Sequence, residues 1–125
     1  IRAVPQAAWN ELVTLADTRG DADNPFVDAR FLAALEDSGC AAAMRGWRPC
    51  PFFVSSGSTL LAVAPAYVKS DSEGDFSRDW DWAAAAERAG LSYYPKLVFG
   101  VPYTPVTGRR VLLRAELSAG EREAV

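Results

Sequence analysis

Apolar positions change their spacing several times along this chain, and each change marks an element. From Pro5 to Asp17 they recur at intervals of three and four, so that Trp9, Leu12, Val13 and Ala16 share one face of an amphipathic helix. Pro5 suits the first turn, where its missing N–H costs nothing. The run "TRGDADNP" ends that helix in a loop. A second helix follows, with Asp28 as N-cap and Gly39 just past its C-terminus. Val27, ahead of the cap, is placed to staple onto Leu32, and Phe31 and Leu35 continue the buried stripe.

The period then shortens. "PFFVSS" and "TLLAVAPAYVK" are apolar runs separated by Ser-Gly-Ser, which predicts a β-hairpin. The second run is apolar at both alternating sets of positions, so it predicts a strand covered on both faces. Pro65 cannot donate to a ladder and predicts a bulge or a loss of pairing there. "KSDSEGDFSRD" reads as a polar loop. Asp79 or Asp81 can cap the short helix "WDWAAAAERAG", closed by Gly90, with Trp80 and Trp82 filling the space its alanines leave. A strand from about Lys96 to Val101, another in "RRVLLR" and the first turn of a helix in "SAGEREAV" complete the chain. This order predicts an α+β arrangement, helices packed on a sheet.

Composition narrows the function more than the fold. The 125 residues suffice for one domain or part of one, and half of them are hydrophobic, as in ordinary globular proteins. No apolar run reaches the roughly 20 residues of a membrane span, and no signal peptide is visible, so the expected compartment is cytoplasmic. The net charge of −3 argues against duplex nucleic acid as a partner, since phosphate contacts need clustered Lys and Arg. There is no His, which removes the commonest general base and metal ligand. Cys40 and Cys50 have no CxxC spacing and read as free thiols, and no metal site is expected. The acids from Asp71 to Asp81 do not follow the order of a calcium loop and read as a solvated acidic loop.

One stretch stands apart, "YYPKLVFGVPYTPVTGRR" from Tyr93 to Arg110. Pro95, Pro102 and Pro105 fix φ and withhold donors, so the ends of the enclosed strand cannot pair normally. Carbonyls and amides there are left for turns, water or a ligand. Tyr103, Thr104 and Thr107 add hydroxyls, and Gly108 permits close backbone approach. Tyr93 and Tyr94 offer aromatic faces with polar tips, beside Lys96. Lys69 and Ser70, at the end of the preceding strand, are candidate contacts for an anion or a carbonyl. Two readings follow: a shaped polar cleft at the strand ends, or a stiff proline-punctuated hairpin from Tyr103 to Gly108 whose tyrosines fill the core.

These residues resemble the bacterial Fem-like family of peptidoglycan biosynthesis or recognition proteins, predicted N-acyltransferases with a GNAT-type fold. The likeness rests on "NPFVDARFLAALEDSG", "APAYVKSDSEGDFSRDWDWAAAAERAG", "YYPKLVFGVPYTPVTGRR" and the hairpin between the first two, over most of residues 24 to 110. It implies a mixed, mostly antiparallel sheet flanked by helices, with residues 1–125 forming the first GNAT-like half of a longer protein. It also implies acyl or aminoacyl transfer to an amine, with a cell-wall precursor or other small molecule as acceptor. Lys69, Ser70, Tyr93, Tyr94, Lys96, Tyr103, Thr104, Thr107 and Gly108 would line the acceptor side. Acetyl-coenzyme-A sites of this fold carry an Arg/Gln-x-x-Gly-x-Gly/Ala loop, which "RAELSAGERE" lacks. The expectation is therefore no cofactor in this segment, an acyl-CoA or aminoacyl-tRNA donor bound by the second half, and no turnover from this segment alone. The alternative is a non-catalytic module that recognises a cell-wall precursor or a partner protein.

Overall fold

A computed structural model describes residues 1–15, 24–74 and 78–125. The expected positions Ala16, Asp17 and Asp75, and most of the loop between the first two helices, lie outside the described residues.

Helix α1 spans Gln6–Leu15 and α2 spans Ala29–Asp37, preceded by a 3-10 turn at Pro25–Val27. The two are tied together by polar groups as well as by packing. The Trp9 indole N–H donates to the Val27 carbonyl at 2.9 Å. Asn10 of α1 accepts from the Ala29 amide at 2.8 Å, while the Asp28 carboxylate accepts from the Arg30 amide at 2.7 Å. Two of the four orphan donors at the start of α2 are thus satisfied, one by its own cap and one by a neighbouring helix. Gly39 follows the last turn with φ of 75°, as its predicted place requires. Val27 and Leu32 are both buried in the same cluster, as the staple demands.

The strands are β1 (Trp47–Pro49), β2 (Phe52–Ser56), β3 (Thr59–Ala64), β4 (Ala66–Lys69), β5 (Lys96–Phe99) and β6 (Leu112–Leu113). They form two three-stranded sheets, ordered β1-β4-β5 and β2-β3-β6. Every pairing is antiparallel, so the fold is α+β. The predicted hairpin is present, and it extends further than expected. Residues 47–56 and 59–69 pair as two arms that lose their ladder at Pro65 and resume beyond it, with the Cys50 amide reaching the Ala66 carbonyl across the gap. The run predicted as one strand is therefore two, because the proline denies the donor that would join them.

Each half of the second arm takes a different third strand. β5 lies against β4 with Phe99 opposite Ala66, and the Gly100 amide continues to the Pro65 carbonyl at 3.1 Å. β6 lies against β3 with Leu112 opposite Val63. Between them, residues 101–111 leave the sheet edge at Gly100, beside Pro65, and the chain rejoins it at Leu112, two register positions on. "RRVLLR" supplies Leu112–Leu113 as the strand, and the Arg114 amide continues the pairing to the Leu61 carbonyl at 2.9 Å.

α1 and α2 cover the β2-β3-β6 sheet, burying Trp9, Leu12, Leu32, Leu60, Val63 and Leu112 in one core. A smaller cluster of Ala41, Trp47 and Tyr67, with Leu35 and Val98 against it, fills the β1-β4-β5 side. Helix α3 (Trp80–Arg88) buries no residue. Trp80 and Trp82 are 53% and 71% exposed, which corrects the expectation that they pack against the alanines. Helix α4 (Ala119–Ala124) opens on a capping box between Ser118 and Glu121. Among the described residues no helix is long and apolar enough to cross a membrane.

Candidate functional site

The register of the β1-β4-β5 sheet puts Trp47, Lys69 and Lys96 in one row across its face. What surrounds each of them divides the candidate residues into three places.

Lys69 lies behind Trp47. It has no exposed surface, its ammonium sits 4.2 Å from the centre of the indole ring, and it donates to the Glu73 carbonyl. Asp71 stands 3.7 Å from it. Burial of a charge is tolerable here because an aromatic face, a carbonyl and a carboxylate replace its water. Ser70 is exposed and donates to Asp71 at 3.0 Å.

Lys96, Tyr93 and Tyr94 gather instead on Asp79. The Lys96 ammonium forms an ion pair with Asp79 and lies 5.0 Å and 5.6 Å from the centres of the Tyr93 and Tyr94 rings. The Tyr94 hydroxyl donates to the same carboxylate at 2.6 Å, the Ser72 hydroxyl donates to it as well, and Ser72 meets Tyr94 at 2.8 Å. Burial alone would raise the Asp79 carboxyl, but Lys96 and the hydroxyls of Ser72, Tyr94 and Tyr93 overcome it and hold it far below the usual carboxylate range. Burial would lower the Lys96 ammonium, yet Asp79 raises it above its ordinary value. Burial and then Asp79 push the Tyr94 hydroxyl up. A carboxylate locked in its charged form is a poor base, and an ammonium held protonated is a poor nucleophile. The cluster is a clamp, joining the loop after β4 and the start of α3 to the first residue of β5. Asp79 belongs to this clamp and is 7% exposed, which corrects its place in a solvated acidic loop. It does stand at the N-cap of α3, but no side-chain cap bond forms because its oxygens are turned to Lys96.

Tyr103 and Thr104 occupy the third place. A turn from Val101 to Thr104, closed by the Thr104 amide on the Val101 carbonyl, puts Tyr103 at its third position with φ of 58°. A tyrosine in that region is uncommon and costs about 1–3 kcal/mol, a penalty usually met at functional positions. The ring packs on Trp47 with centroids 5.9 Å apart, and its hydroxyl donates to the Cys40 carbonyl at 3.1 Å. On one side of Tyr103 is an open recess of about 170 Å³, whose lining includes Trp47, Gly74, Val98, Tyr103, Thr104 and Arg110. On the other is a shallower hollow of about 330 Å³ over Ser38, Gly39, Cys40 and Arg45. Gly74 has φ of 70°, and a Cβ there would overlap the Tyr103 ring and stand 3.1 Å from the Trp47 Nε1.

Thr107 and Gly108 are exposed on the excursion and line neither space. Much of the backbone expected to be left over is used locally. Thr104 Oγ1 donates to the Pro102 carbonyl at 3.0 Å, and Arg110 donates to the Val106 carbonyl. Cys40 and Cys50 are free thiols. The recess residues that the sequence did not single out are Trp47, Gly74 and Arg110. A Gly inside an acidic loop was the only local signal among them.

A family model described as FemAB-like, peptidoglycan biosynthesis/recognition, matches residues 1–125. No curated protein and no solved structure matches the chain.

Proposed function

The chain belongs to the FemAB-like peptidoglycan biosynthesis/recognition family, and from that premise we propose that it is the acceptor-side, GNAT-like half of a longer cytoplasmic N-acyltransferase. The reaction is acyl or aminoacyl transfer to an amine of a cell-wall precursor. The donor, an acyl-CoA or an aminoacyl-tRNA, binds the second half. The observation that carries the proposal is the recess beside Tyr103, walled by two residues in left-handed backbone and lined by aromatic, hydroxyl and guanidinium groups. Such a site can orient an acceptor and exclude water, which is most of what acyl transfer without covalent catalysis requires. Lys69, Tyr94 and Lys96 act by holding its walls.

The test is transfer by the full-length protein, with acyl-CoA and aminoacyl-tRNA offered in turn and a peptidoglycan precursor as acceptor. Tyr103→Phe with Thr104→Val is expected to lower transfer about tenfold or more while shifting the melting temperature by only a few degrees. Equal loss of folding and transfer would reduce both residues to scaffold.

A second reading, a binding module without chemistry, is favoured by one observation. Among the described residues the recess lining contains no carboxylate and no lysine, and the nearby Asp79 and Lys96 pair with each other. Binding of the precursor with no acylated product under either donor would establish it.

A further inference from the structure

Trp47 is 3% exposed, and among the described residues its buried Nε1 has no hydrogen-bond acceptor. An indole N–H is a donor only, and leaving it unpaired forfeits a hydrogen bond that nearly every buried polar group makes. Trp9, the other buried tryptophan, follows the rule through Val27. The exception stands in the wall of an open recess, beneath the Tyr103 ring, which fills the space that Gly74 leaves by having no Cβ. Two cationic groups flank it, one of them paired with Asp71. The Lys69 ammonium lies against the indole face, and Arg110 lines the same recess, with more donors than its two carbonyl contacts use. Tyr103 covers the N–H, and its tip is held by one exposed hydrogen bond to Cys40.

We propose that the recess binds a carboxylate, one oxygen of which accepts from the Trp47 N–H while Arg110 takes the other, as the Tyr103 ring tips outward. The ligand class is a small acyl-amino acid or peptide end with a free carboxyl group. Room is suited to this: about 170 Å³ is the liquid volume of about six waters. The assignment rests on the recess being the ligand site of the proposed function, but not on acyl transfer.

The experiment is a ¹H–¹⁵N titration of the chain with N-acetylalanine and, in parallel, with N-acetylalanine amide. The Trp47 indole resonance is identified by its loss in Trp47→Phe, and the Trp9 indole serves as an internal control. A saturating shift of the Trp47 resonance with the carboxylate is expected, about tenfold weaker with the amide and about tenfold weaker in Arg110→Gln. No saturating shift, an equal response to the amide, or an unaltered response in Arg110→Gln overturns the proposal. If Trp47→Phe fails to fold, the Trp47 indole is identified by its proximity to the Tyr103 ring, and Arg110→Gln, which alters an exposed part of the loop, still decides the outcome. A saturating shift without transfer in the full-length assay defeats transfer alone. Transfer without the shift defeats this inference alone.

Discussion

The Lys69 ammonium sits 4.2 Å from the centre of the Trp47 indole, directly across the β1–β4 ladder, and has no contact with solvent. The pair joins the two candidate regions: Trp47 lines the recess, and Lys69 reaches back to the loop that carries Gly74.

Replacing Lys69 by Met keeps the stem and removes the charge. A desolvated cation over an aromatic ring contributes about 1–2 kcal/mol, and the Glu73 carbonyl would lose its donor. Lys69→Met is therefore expected to destabilise the chain by about 1–3 kcal/mol in urea unfolding. A neutral or stabilising result would mean that burying the ammonium costs as much as its contacts return.

Asp79→Asn takes the Asp79 carboxylate away from the Lys96 ammonium, part-buried beside two tyrosine rings. Breaking such a pair from one side costs about 2–4 kcal/mol, with the outer limit reserved for fully buried partners. The double variant with Lys96→Met should recover part of the loss. Additive losses in the two singles would show that no coupling exists.

Acid should weaken the fold through the same group and through Asp28. The Arg30 side chain, more than offsetting burial and helped by the Arg30 amide and Asn10, lowers the Asp28 carboxyl to about 2, and Asp79 is also depressed. Groups depressed in the folded chain stabilise fully above the ordinary Asp value of about 3.9 and lose that contribution as pH falls below it. The urea midpoint should hold steady from pH 7 to about 5 and fall between about pH 4 and 2. In Asp79→Asn the acid-side slope should be shallower, and an unchanged slope would remove Asp79 from the account.

Gly74→Ala must place a methyl group against Tyr103 and hold a left-handed backbone. The backbone term alone is about 1–2 kcal/mol. The expected outcome is destabilisation of at least that size, with increased mobility of Tyr103 visible in its ring resonances. A stable variant with an unmoved tyrosine would show that the wall is softer than its geometry.

The hairpin and its break at Pro65 were legible because both depend on neighbours in sequence: two apolar runs, a Ser-Gly-Ser turn and a missing donor. So were the caps at Asp28 and Gly39. β1 was not, since Trp47–Pro49 is too short for any period and contains a charge and a proline. Asp79 or Asp81 was read as a helix cap, and Asp79 does stand at that position, but a distant lysine takes its side chain. The recess was half legible. Tyr103 and Thr104 were marked by the prolines around them, but Trp47, Gly74 and Arg110 come from separate stretches of chain. They meet only because β4 is the shared neighbour of β1 and β5, a register no local pattern encodes.

Gly100 and Leu112 face Pro65 and Val63 on one strand arm, so the intervening eleven residues start and finish almost at the same point. Doubling the length of such an insert adds only about 0.6 kcal/mol of closure entropy. The excursion can therefore change in length and sequence at little cost to the ladder that holds both its ends.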